Sequence, residues 1–188
     1  MAVTASASSP RVLPADSARL YAPLTVSFQG QTMQLHQAAE TLLTSLHGSN
    51  SYGGYTPEQV FTGFLLYSDD WQAEPIIRVE GDSLRTVLHL QPYASVNDFF
   101  NTDYILGPLV QAFYNGAQDS LCQQAVVIDS RLMMVMELLD PHYRNAFKQL
   151  SVANPTEHTS NTLSSVLLIA VIILALATAM IVLRKKAK

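Results

Sequence analysis

The chain has 188 residues, 48% of them hydrophobic, and a formal charge of −4. Four of its 11 Lys and Arg residues lie in the last five positions, so the remainder carries seven cations against 15 carboxylates. That acidic balance excludes nucleic-acid binding, which needs a cationic face, and electrostatic docking of the body of the chain on anionic lipid.

Residues 1–11 are small and polar and are expected to form a disordered lead. The alternation Leu24-Thr25-Val26-Ser27-Phe28 predicts a short strand, turned by Gln29-Gly30-Gln31. Thr32 is expected to cap a helix over 33–47, with a stripe of Leu35, Ala38, Ala39, Leu42, Leu43 and Leu46 and a stop at Gly48. A turn-rich loop over 49–55 carries Tyr52 and Tyr55, and no GxxxxGK[ST] pattern makes it a phosphate cradle. Thr56-Pro57-Glu58-Gln59 is a helix start, with Thr56 as N-cap, Pro57 at the first position and Gln59 closing a capping box. Val60, Phe61, Phe64, Leu65 and Tyr67 form its buried face.

Ser68-Asp69-Asp70 starts a short helix bearing Trp71 and ended by Pro75, and 76–79 is a brief strand or extended run. Gly81-Asp82-Ser83 opens a helix to Leu90 that buries Leu84, Val87 and Leu88; Pro92-Tyr93-Ala94-Ser95 opens another, carrying Phe99 and Phe100. Residues 103–115 read as helical, entered or interrupted at Gly107-Pro108 and closed by Gly116. The longest soluble helix runs over 119–140, its stripe being Leu121, Ala125, Ile128, Leu132, Val135 and Leu139. Pro141 begins a last helix to about Leu150, and 151–162 is a polar linker. The single cysteine, Cys122, excludes an intrachain disulfide, a CxxC redox pair and a CxxCH haem-attachment site, and reads as a small buried residue on a helix.

Residues 163–183, from Leu163 to Leu183, contain no charge, Pro or Gly. As a helix they span roughly 31 Å, close to the hydrocarbon thickness of a bilayer, which predicts a transmembrane helix. The basic tail 184–188, with Arg184, Lys185 and Lys186, prefers the cytoplasmic side and places the head outside. The N-terminus has no apolar h-region. The chain is therefore either an excerpt of a membrane protein with earlier spans or a tail-anchored protein with a cytosolic head, and the basic flank favours the first. The fold expected is mainly α: a small helical bundle with a minor β element over 12–150, followed by a single C-terminal transmembrane helix.

The run 11–150 resembles an extracytoplasmic domain of the Bacteroidetes-type system II cytochrome c biogenesis proteins, in which ResB-like and CcsA-like halves are fused. The resemblance rests on Leu13-Pro14-Ala15-Asp16, on Val26 to Gly30, and on Leu35 to Ala39 through Leu46-His47-Gly48. Its centre is SYGGYTPEQVFTGFLLYSDDWQAEPIIRV over 51–79, followed by Tyr93 to Ser95, Asp98-Phe99 and Ile128-Asp129. The family's Pro before the first helix is Gln34 here, and its Gly-Trp pair is Gly63-Phe64. The tryptophan-rich haem-handling segment and the haem-ligating histidine spans of the CcsA-like half have no counterpart in these residues, Trp71 being the only tryptophan.

The resemblance implies a membrane-anchored accessory domain of the haem-delivery and cytochrome c maturation machinery in the bacterial inner membrane, with a periplasmic head. Such a domain would position apocytochrome c, or other synthase subunits or spans, near the haem exit, and haem would reach it only through partners. His158, at headgroup level before the span, is the candidate haem ligand; His36, His47, His89 and His142 read as structural. Tyr52, Tyr55, Tyr67 and Trp71 are a candidate aromatic patch for a partner. No nucleophile–base pair and no metal-ligand spacing occurs, so no catalytic residue and no metal site is assigned. The alternative is a single-pass scaffold or interaction module with no haem role, and a hydrolytic enzyme ranks last.

Overall fold

The structure is a computed structural model that describes residues 9–101 and 103–153. The chain divides into two compact units, Met1–Ser151 and Val152–Lys188. The first holds nearly all described residues and is mainly helical, as expected. Among the described residues no helix is long and apolar enough to cross a membrane. The expected span 163–183, most of the linker, His158 and the basic tail lie outside the described residues.

Helix α1 (Ala15–Arg19) leads into strand β1 (Thr25–Phe28), which pairs antiparallel with β2 (Gln31–Gln34). The two-residue turn places Gln29 and Gly30 at φ 51° and 71°, the left-handed pair a tight hairpin requires. Gln29 is strained there, and Glu137 braces it, accepting from its backbone N–H and at 2.6 Å from its carboxamide. The second strand displaces the helix start expected at Thr32. Helix α2 (Leu35–His47) begins after Gln34, whose N–H donates to Gln37, and ends on left-handed Gly48.

Helix α3 (Pro57–Leu66) starts as expected: Thr56 N–H donates to Gln59 Oε1 at 3.0 Å, and Gln59 N–H returns to Thr56 Oγ1 at 3.4 Å. It is no one-sided helix, however. Glu58 through Leu65 are all buried, so α3 is the central rod of the unit, with α2 along one side. Its polar groups are satisfied there. Gln59 Nε2 donates to the Leu13 carbonyl at 2.8 Å, and Thr62 Oγ1 to the Glu58 carbonyl at 2.6 Å.

Helix α4 (Ser68–Gln72) carries Trp71 back against α3. Strand β3 (Ile77–Arg78) pairs antiparallel with β4 (Tyr93–Ala94) around α5 (Asp82–Leu88). Tyr93 and Ala94 thus form a strand rather than the first turn of a helix; Ser95 is the true N-cap of α6 (Val96–Phe100). Helix α5 buries Leu84 but leaves Val87 55% exposed, and His89 in the left-handed region ends it before Leu90.

Helices α7 (Gly107–Tyr114) and α8 (Ser120–Leu139) pack as a pair. Asp119 caps α8, which turns Cys122, Ala125, Ile128, Leu132, Val135 and Leu138 inward; Leu121 and Leu139 are only half buried. Helix α9 (Pro141–Ala153) continues past the expected end, into the first residues of the segment read as a linker. The lead is also ordered sooner than expected, because Pro10 is buried and Arg11 is pinned by Asp70.

Candidate functional site

Gly63, mid-helix in α3, has no side chain, and the Trp71 indole lies in the space this leaves. Trp71 is 0% exposed. Phe64, Tyr52 and Tyr55 surround it, with ring centroids at 5.4, 6.2 and 6.1 Å. The loop over 49–55 folds onto itself through the Tyr52–Tyr55 bridge, and this delivers both tyrosines to the indole.

A strap from the N-terminal segment closes the other edge. Trp71 Nε1–H donates to the Arg11 carbonyl at 2.9 Å. The Arg11 guanidinium forms a two-pronged pair with Asp70, at 2.7 and 3.0 Å, and lies 5.1 Å from the Tyr67 ring centroid. Hydrogen bonds from Arg11 pull the Asp70 carboxyl down to about 2. Tyr52 donates to Glu74 at 2.6 Å, and burial with that bond holds its phenol well above the usual range.

The structure therefore brings Tyr52, Tyr55 and Trp71 together as a packed cluster whose centre is sealed, with Tyr67 joined to it through Arg11. Trp71 offers no surface to a partner; Tyr52, Tyr55 and Tyr67 are half buried. Two aromatic neighbours were not anticipated. The His47 ring sits 5.0 Å from Tyr52 and 4.8 Å from Tyr93, and Tyr93 is 39% exposed. Tyr93 reaches this cluster only through the β3–β4 pairing, which local sequence does not announce.

The other candidate side chains are held structurally. His36 Nδ1 lies 2.5 Å from Glu58 Oε1, while Nε2 faces Glu40 at 3.5 Å. The Glu58 bond raises the His36 pKa, against burial. For Glu58, burial pushes the carboxyl up, but the His36 bond, backbone N–H groups and Thr56 together bring it below the usual range. Burial and the neighbouring Asp119 raise the Cys122 thiol, so it is no ready nucleophile. Among the described residues no group of three or more His, Cys, Asp or Glu could hold a metal ion.

A shallow cavity of about 220 Å³ is lined by Glu80, Ser120, Gln123, Gln124, Val127 and Ile128. The Glu80 carboxylate there is neutralised by Arg131, at 3.0 Å, and by Arg78. The cavity contains no histidine; His36 is paired with Glu58, and His47 lies between tyrosine rings with its buried Nδ1 unpartnered among the described residues. Neither this cavity nor the paired His36 fits a haem.

The chain matches no protein-family model and no curated protein.

Proposed function

We propose that the chain is a membrane-anchored module that positions partners, and that it serves the haem-delivery and cytochrome c maturation machinery whose family it resembles. One observation carries the reading. The stretch 51–79, on which the resemblance centres, is the stretch the head is built around, from the Tyr52–Tyr55 loop through buried α3 to Trp71 and β3. Its polar groups are spent on internal bonds: Tyr52 to Glu74, Gln59 to Leu13, Asp70 to Arg11. Such a stretch supports a scaffold and leaves recognition to the outer surface. The anchor in this reading is 163–183, argued from its length and lack of charge.

The sealing of the aromatic cluster supports a domain that handles protein partners through its outer surface, with covalent haem attachment performed elsewhere. It equally favours the second reading, an interaction module with no haem role. Deleting the coding sequence in the host and staining membranes for covalently bound haem separates them. The first reading predicts loss of c-type cytochromes, restored by the chain supplied in trans. Unchanged cytochrome levels leave the second.

A further inference from the structure

Helix α8 carries a face that is covered along only half its length. Cys122, Asp129, Met133, Met136 and Asp140 recur at helical spacing and share one stripe. Helix α7 packs against α8, and Tyr104, just before α7, donates to Asp129. Helix α7, with eight residues, is about 12 Å long against about 30 Å for the 20 residues of α8, so it covers less than half of that helix. Among the described residues the same stripe is open at Met133, 45% exposed, and at Met136, 39% exposed. Phe100, 38% exposed, is stacked at 4.8 Å on the Tyr104 that reaches Asp129.

The edges of this lane are negative. Asp129, Glu137 and Asp140 accept only from neutral donors: the Tyr104 hydroxyl, Gln29, and the His142 and Tyr143 backbone N–H groups. None of the three is in an ion pair among the described residues. Of the cations on α8 and α9, Arg131 is turned to Glu80 and the Arg78 carbonyl, Arg144 to the Leu65 carbonyl, and Lys148 is also engaged. Methionine is the apolar side chain most able to adapt to a partner's shape. An acidic rim with no ion pair among the described residues favours a cationic partner, and it opposes a second copy of this acidic head.

We propose that this lane docks a cationic amphipathic helix of a partner protein, laid along α8 in line with α7. The span from Asp129 to Asp140 fits a segment of about 16 Å, or three turns. The proposal rests on the reading of the head as a partner-binding module and not on the cytochrome assignment.

The test uses the full chain in nanodiscs of zwitterionic lipid. The probe is a Leu/Lys peptide about 14 residues long with its leucines on one face, and a Leu/Glu peptide of the same pattern is the control. Binding is read by anisotropy and by ¹³C-methyl methionine spectra. The Leu/Lys peptide shifts the Met133 and Met136 methyls and leaves Met33 in place. M133Q/M136Q, at exposed positions that leave Trp71 emission unchanged, weakens binding about tenfold or more. Raising salt from about 0.05 to about 0.5 M weakens it further. Equal binding by M133Q/M136Q, equal binding of the Leu/Glu peptide, or self-association through the lane in place of peptide binding would overturn the proposal. Any of these outcomes leaves the cytochrome-staining test untouched.

Discussion

Gly63→Ala tests whether the Trp71 packing organises the head. A Cβ at position 63 would overlap Nε1 and Cε2 of the indole and come within 2.9 Å of Cδ1. The indole is rigid and fully buried, with Phe64, Tyr52 and Tyr55 around it, so it cannot swing aside as a lysine would. Over-packing of this kind costs about 1–3 kcal/mol. Moving the ring also breaks the Nε1–H bond to the Arg11 carbonyl, a further loss of about 1 kcal/mol. Replacing a mid-helix glycine by alanine returns about 1 kcal/mol of helix propensity. The net expectation is a destabilisation of about 2 kcal/mol. Because Trp71 is the only tryptophan, urea unfolding of the full chain in neutral detergent can be followed by its emission. G63A should unfold at lower urea, with native emission already shifted to the red. A variant as stable as the parent or more so, with unchanged emission, would refute the packing argument.

Other expectations follow from the ion pairs and the buried polar groups. The Asp70 carboxyl is held at about 2 by Arg11, so its stabilising contribution is present above the unfolded value and is lost as pH falls from about 4 toward 2. D70N should therefore loosen the Arg11 strap at neutral pH and show a smaller change in Trp71 emission across that acid window than the parent. The raised His36 pKa means that its pairing stabilises below the unfolded value and is lost as pH rises through the folded one. In E58Q, an NMR titration of the His36 ring should show its pKa falling back; no change would sink the pairing. Arg131 bridges the Arg78 carbonyl at 2.7 Å and Glu80 at 3.0 Å, a fork that lysine cannot reproduce. R131K should cost about 1 kcal/mol in the same urea assay.

Much of the head could be read from local chemistry. Thr56-Pro57 with Gln59, Asp119 before α8 and Gly48 after α2 declare helix ends because cap and capped backbone are neighbours in sequence. What escaped depends on distant partners. Gln31–Gln34 has no strand-like alternation and becomes β2 only by pairing with β1 across a left-handed turn that Glu137 braces. Tyr93–Ala94 is a strand only because Ile77–Arg78 lies beside it. The full burial of α3 was hidden by Glu58, Gln59 and Thr62, polar residues made tolerable by His36, the Leu13 carbonyl and the helix's own backbone.

The aromatic site shows the same division. The closeness of Tyr52, Tyr55, Tyr67 and Trp71 in sequence announced a cluster, but not which way it faces. Its inward orientation is set by Gly63 and by a strap whose Arg11–Asp70 pair joins residues 59 apart. Met133 and Met136 lie off the inward stripe of α8, and nothing in the local sequence marks them as exposed.

Topology tests the account most directly. Cys122 is buried, so the reporter is Asn50→Cys on the exposed loop, in a Cys122→Ser background. Intact cells are treated with membrane-impermeant or membrane-permeant maleimide. The account predicts labelling of position 50 by the impermeant reagent, which places the head outside the cytoplasm where cytochrome c maturation takes place. Labelling by the permeant reagent alone would put the head in the cytosol and contradict the proposed role.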